Sequence, residues 1–259
     1  MAQARVYRTE AVVLKGSDLG EADRILTLFT PFNGKLRVVG KGVRKPGSRS
    51  GGHLDMLTQV QLLIARGRNL DIVTQAETID PFLGLRDDLW RTTLGYHVAE
   101  LVDRVTEDDH EDRAIYAALV DVLGQISHDE HPDVAVRIFE VRILEALGYR
   151  PRLESCIRCQ ATLERVNCFF NAAMGGVLCP TCGPLVGTAR PISSNAFALL
   201  RVLQRGDAAT IARVRHNQTL WDEVESIANM QLAVVLERDL KSTAFLNRVR
   251  GMASDPARP

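Results

Sequence analysis

The stretch CIRCQATLERVNCFFNAAMGGVLCPTC, residues 156–182, opens on Cys156-Ile-Arg-Cys159 and closes on Cys179-Pro-Thr-Cys182. Nineteen residues separate the pairs, so the pattern is C-x2-C-x19-C-x2-C, within the spacing range of a structural zinc site. Two residues between cysteines let both sulfurs of a pair reach one ion. A finger of about twenty residues then returns the second pair and completes a tetrahedron. Four thiolates leave no position for water or substrate. Cys156, Cys159, Cys179 and Cys182 are therefore expected to hold a structural Zn2+ that does no chemistry. Redox C-x-x-C motifs usually sit where a strand meets a helix in a βαβ unit, and these pairs flank Gly-rich loops. Disulfides need an oxidising compartment, whereas Met1-Ala-Gln-Ala-Arg-Val-Tyr-Arg8 has no apolar signal core. A metal-free remnant of the site stays open as a reading. Cys168, in the apolar run Val166–Phe170, reads as a buried small hydrophobe.

Working outward, helical periodicity flanks the cysteines on both sides. Upstream, apolar residues recur at helical spacing in Asp87–Thr106, His110–Ser127 and Pro132–Leu147, with Gly148 placed for a left-handed cap. Downstream, Ser193–Arg205, Ala208–Arg215 and Thr219–Lys241 resume the pattern. The segment Asn171–Gly176 reads as a hairpin turn inside the module. The first eighty residues read instead as β, in five runs: Arg8–Leu14, Arg24–Thr30, Lys35–Val39, Met56–Ile64 and Leu70–Ile79. Breaks fall at Gly16 and Gly20, at Asn33-Gly34, from Pro46 to Gly52, and at Gly67. Five short strands suit a small closed barrel of the oligonucleotide-binding (OB) kind; an SH3-like barrel fits the pattern nearly as well. The expected fold is α+β and multidomain: a β-barrel at 1–80, a helical domain at 81–152 continuing at 191–250, an inserted four-cysteine module at 153–190, and a flexible tail at 251–259.

The chain has 259 residues, 46% of them hydrophobic, and a formal net charge of zero. No stretch approaches the roughly eighteen apolar residues of a membrane span. The neutral total hides an asymmetry. Residues 1–54 carry ten Lys/Arg against four Asp/Glu, and residues 80–133 carry four against fourteen. No acidic residue lies between Asp23 and Asp55, a gap holding Arg24, Lys35, Arg37, Lys41, Arg44, Lys45 and Arg49. A basic front end of this kind fits a polyanion partner.

No catalytic constellation emerges. The loop Gly40-Lys-Gly-Val-Arg-Lys-Pro-Gly-Ser48 has the glycine interval of a phosphate loop, but Ser48 stands where a Walker motif needs Lys. Pro46 also removes an N–H that would cradle phosphate. His128-Asp-Glu130 with the second cysteine pair lacks the Pro a zinc deaminase places before it, since Leu178 is there. His110, His131 and His216 sit in charged contexts without metal or triad spacing, and His53 lies beside the basic stretch. The chain is read as a non-enzyme.

Four blocks occur in order: Gly16-Ser-Asp-Leu-Gly-Glu-Ala-Asp-Arg-Ile-Leu-Thr27; Gly34-Lys-Leu-Arg-Val-Val-Gly-Lys-Gly-Val-Arg-Lys45 with Ser48-Arg49; Leu144-Glu-Ala-Leu-Gly-Tyr149; and Gly175-Gly-Val-Leu-Cys179. Together they resemble the RecO family of bacterial recombination mediators, over about Tyr7 to Arg248. The resemblance implies an OB-fold, a helical domain and, in many members, a four-cysteine zinc module. It implies binding of ssDNA and dsDNA, annealing of complementary strands, partnership with RecR, contact with single-stranded DNA-binding protein (SSB), and help in loading RecA onto SSB-coated strands. The expected location is cytoplasmic, at the nucleoid. The family's DNA contacts carry over to Lys35 and Arg37 in the G-K-L-R block; Lys41, Arg44, Lys45 and Arg49 follow by charge and the K-G-x-R match. With four to six phosphate contacts, log affinity should fall with log salt at a slope of roughly −3 to −5. Near the barrel only Tyr7, Phe29 and Phe32 offer faces for base stacking. The acidic tail of SSB calls for a basic, partly apolar dock, for which the helix with Arg137 and Arg142 is a candidate. The competing reading is an OB-fold and zinc-ribbon RNA-binding factor of transcription or translation.

Overall fold

The computed structural model describes residues 5–48, 50–206, 208–211, 213–214, 216–237 and 240–253. The alternating front end forms five strands: β1 (Val6–Leu19), β2 (Asp23–Thr30), β3 (Gly34–Gly40), β4 (Gln59–Ala65) and β5 (Asp71–Asp80). They close a barrel in the order β1-β2-β3-β5-β4, sealed by β1 against β4. All pairings are antiparallel except β3 with β5. This is the OB arrangement, so the SH3-like alternative falls away. One pleat of each strand fills the interior, with Ala11, Val13, Leu26, Leu28, Val38 and Leu62 among the buried side chains. Two expected boundaries shift. The break expected at Gly16 is absent: β1 runs on to Leu19, with a bulge between Val13 and Lys15. The run expected from Met56 joins the sheet only at Gln59, because Leu57 holds a φ of 63° and donates its N–H to the Val13 carbonyl at 2.8 Å.

Beyond the barrel the described residues form α1 (Leu89–Val105), α2 (Arg113–His128), α3 (Pro132–Ala146), β6 (Cys168–Asn171), β7 (Gly176–Leu178), β8 (Arg190–Ile192), α4 (Ser194–Arg205), α5 (Ala208–Ile211), α6 (Gln218–Leu236) and α7 (Lys241–Ala253). The caps explain most of the boundaries. Asp88, Asp112, Ser193 and Asn217 each accept from a first-turn N–H. At the end of α3, Gly148 holds a φ of 81° while the Tyr149 N–H reaches the Leu144 carbonyl at 2.8 Å, closing the helix in the expected left-handed turn. The single helix expected over Thr219–Lys241 is two. Glu237 takes a left-handed φ of 54° and ends α6, and α7 begins at Lys241. Of the helix expected at Ala208–Arg215 the described residues are helical over Ala208–Ile211; Ala212 and Arg215 lie outside the described residues. Residues 251–253 of the expected tail are helical, since α7 continues through Ala253; residues 254–259 lie outside the described residues.

The chain divides into two compact units, Met1–Pro132 with Leu240–Pro259, and Asp133–Asp239. The first joins the barrel to α1, α2 and the sequence-distant α7. Glu100 on α1 caps α7 by accepting from the N–H groups of Lys241 at 3.1 Å and Ser242 at 2.8 Å. Gly34, at the β2–β3 turn, has a φ of 61°, and a Cβ there would sit 2.1 Å from the carbonyl oxygen of His110. Only glycine lets that turn meet the α1–α2 linker. The second unit packs α3, α4 and α6 around the small sheet β7-β6-β8, with Phe170, Leu178, Phe197 and Trp221 in its core. Arg137 is buried there at 2% exposure, 2.9 Å from Glu140 and 3.8 Å from Glu225. It is thus withdrawn from the docking surface expected of it, whereas Arg142 is exposed.

Candidate metal centre and nucleic-acid interface

The four cysteines converge within the second unit. Cys156 and Cys159 lie on a tight loop in which the Gln160 N–H returns to the Cys156 carbonyl at 2.9 Å. β7 delivers Cys179, and the next turn brings Cys182, whose N–H donates to the Cys179 carbonyl at 3.1 Å. All four Sγ atoms lie within 4.8 Å of one another. Cys159 and Cys179 are 3.8 Å apart, and a tetrahedron built on metal–sulfur bonds of about 2.3 Å has edges of about 3.8 Å. The donor set therefore fits one tetrahedral ion. Cys168, also buried, is not among the four. Burial, aided by the charge of Glu223, pushes its thiol up to about 12, so it stays a protonated hydrophobe.

The electrostatics of the cluster favour a cation. Burial opposes ionisation of Cys156, but backbone N–H groups of Cys159, Cys179 and Arg158 outweigh it and bring the thiol down to about 6. Cys179 is lowered chiefly by the Cys182 N–H, 3.3 Å from its sulfur. Cys182 is driven the other way, to about 12, because its thiol is hydrogen-bonded to Cys179. Sulfurs this close cannot all ionise against one another. A divalent ion removes that conflict and completes the set of thiolates.

The basic residues are placed on the barrel in the first unit. Lys35 differs from the rest: its ammonium donates to the carbonyls of Asp103 at 2.7 Å and Thr106 at 2.9 Å and faces the carboxylates of Asp103 and Asp108 at 3.5 and 3.7 Å. At 14% side-chain exposure it is committed to the end of α1. Arg37 is exposed on the outer wall, opposite Thr27, which is opposite Lys15. Lys15 lies outside the acid-free stretch that marks the other cations in the sequence. The bulge before it changes the pleat, so simple alternation gave no cue that it shares a face with Arg37. Lys41, Arg44 and Lys45 are exposed on the β3–β4 loop. Arg44 is steadied by the Gly20 carbonyl at 3.1 Å and Asp18 at 3.3 Å; Asp18 also pairs with Arg24 at 3.2 Å. Arg49 lies outside the described residues. Among the described residues, Lys15, Arg37, Lys41 and Lys45 have no ion-pair partner. Of the aromatics, Phe29 is fully buried beside Tyr116 and Tyr7 donates to Asp71 at 2.8 Å. Phe32 is 57% exposed, with the Arg113 guanidinium 4.5 Å over its ring.

No helix among the described residues is long and apolar enough to cross a membrane. The family model described as Recombination protein O N terminal matches residues 1–82, and the one described as Recombination protein O C terminal matches residues 86–244. The chain is 42% identical over 255 residues to a protein named DNA repair protein RecO from Roseiflexus sp. (strain RS-1), covering 98% of this chain and 90% of that one. A protein of the same name from Nocardioides sp. (strain ATCC BAA-499 / JS614) is 41% identical over 249 residues, covering 94% of this chain and 100% of that one. Another, from Dehalococcoides mccartyi (strain ATCC BAA-2266 / KCTC 15142 / 195), is 32% identical over 247 residues, covering 95% and 97%. With both terminal models matched and the relatives aligned over nearly the whole length, the chain belongs to the RecO family of DNA repair proteins.

Proposed function

We propose that the chain is a non-enzymatic recombination mediator. It binds ssDNA and dsDNA through the barrel, anneals complementary strands and, with RecR, helps load RecA onto SSB-coated ssDNA during recombinational repair. The observation that carries the reading is the set of exposed cations Arg37, Lys41, Arg44 and Lys45 on the barrel and its β3–β4 loop, in a stretch without one carboxylate between Asp23 and Asp55, in a member of a DNA repair family. Arg37, Lys41, Arg44 and Lys45, joined by Lys15, neutralise phosphates and release counterions. Arg49 joins them by charge alone. Lys35 is left out because its donors are spent on α1. Annealing then needs no reacting group: cations between two phosphate chains screen their repulsion. Phe32 is the one exposed ring of the three aromatics, which fits grip by charge more than by stacking.

The cysteine cluster is read as a Zn2+ site. When bound, the ion supplies only a cross-link between the loops of Cys156–Cys159 and Cys179–Cys182, contributing roughly 10–16 kcal/mol of apparent folding free energy. The test of function is annealing of complementary oligonucleotides coated with SSB, with and without RecR. The parent chain should anneal them without ATP, and Arg37→Glu/Lys41→Glu/Lys45→Glu should abolish the activity while remaining folded. Unchanged annealing by that variant, or binding to RNA with little affinity for DNA, would count against the reading and for the RNA-binding alternative.

A further inference from the structure

Six cations of the first unit line two separate concavities, three in each. One is a groove on the outer wall of β1, β2 and β3, lined by Lys15, Ser17, Ile25, Thr27 and Arg37, with Lys35, Asp103 and Asp108 closing one end. The other is a cradle under the β3–β4 loop, lined by the cations Arg24, Arg44 and Lys45, by Ser48 and the glycines around it, and by one carboxylate, Asp55. No residue is common to both. Arg24 and Ile25 are consecutive on β2 and so point to opposite pleats. The paired ends of β1 and β2, where Ser17 faces Ile25 and Asp18 faces Arg24, stand between the two. Along β2 the groove's centre at Thr27 is three residues from Arg24, about 10 Å at about 3.3 Å per residue.

One strand following the groove would meet the groove's cations and pass the hairpin end without entering the cradle. We infer that the two concavities engage two different polynucleotide strands at once, with the β1–β2 hairpin end between them, so that the preferred ligand is a pair of strands diverging from a junction. The inference rests on the DNA-binding reading above and adds the form of the ligand. Asp18 fits this division. It holds the Arg24 and Arg44 guanidiniums together at the cradle side, at 3.2 and 3.3 Å, and contributes nothing to the groove.

The test compares two double variants, Lys15→Glu/Arg37→Glu for the groove and Arg44→Glu/Lys45→Glu for the cradle, on an unstructured single strand and on a fork with two unpaired arms. Circular dichroism checks folding, and Lys45→Glu with Arg24→Gln replaces the cradle variant should loss of the Arg44 contacts unfold it. Each variant should bind the single strand within about threefold of the parent, since one site remains. Each should lose on the order of a hundredfold in fork affinity, because linked two-site engagement is gone. Equal proportional losses on both ligands would overturn the two-strand inference and leave a single continuous DNA site. No change in affinity or salt slope on either ligand, in either variant, would overturn the DNA-binding reading itself.

Discussion

Lys35 gives its ammonium to the carbonyls of Asp103 and Thr106, where a cation also complements the C-terminal end of α1. Two residues on, Arg37 faces solvent. The two therefore predict opposite phenotypes. Lys35→Ala should cost about 2 kcal/mol of stability, since charged hydrogen bonds are lost, and leave the salt dependence of DNA binding unchanged. Arg37→Ala should stay within about 0.5 kcal/mol of the parent in stability. Its salt slope on a fork with unpaired arms should shrink by about 0.7, the equivalent of one phosphate. Urea unfolding and anisotropy titrations separate the two. Arg137 gives a third residue-level expectation. Its buried guanidinium faces Glu140 and Glu225, so Arg137→Met takes a counter-charge from two buried carboxylates and should destabilise the second unit by about 3–5 kcal/mol.

At the level of elements, α7 depends on Glu100. Burial pushes that carboxyl upward, but hydrogen bonds from Ser242 and Lys241 and the charge of Arg104 outweigh it and hold it below its ordinary value of 4.5. A carboxyl depressed in the folded state stabilises above its unfolded pKa and loses that contribution as pH falls through the folded value. Protection of α7 amides from hydrogen exchange should therefore fall as pH drops below about 4.5, and Glu100→Gln should remove that pH dependence. The barrel strands and most helices were legible because alternation and 3.6-residue periodicity are local signals. The four sulfurs were legible because spacing alone fixes their reach. Lys35 could not be told from Arg37 without knowing that the α1–α2 linker closes over Gly34. Lys15 was hidden by a bulge, and the end of α6 by a left-handed Glu237, a residue type that seldom marks such a turn.

At the scale of the molecule, the cationic barrel and the four-cysteine module lie in different compact units, the unit of the cysteines being inserted in sequence between α2 and α7. Stripping the metal with a chelator should therefore raise hydrogen exchange across β6, β7 and α4 while the barrel strands keep their protection and the DNA salt slope stays the same. A barrel that melted together with the cysteine module would show the two to be one cooperative structure. The deciding measurement is fluorescence anisotropy of a labelled fork with two unpaired arms, titrated across a salt series, for the parent chain and for Arg37→Ala/Lys41→Ala/Lys45→Ala. The account predicts that the slope of log affinity against log salt shrinks by about 2, three contacts at about 0.7 each, with folding intact. A folded triple variant with the parent's slope would contradict it.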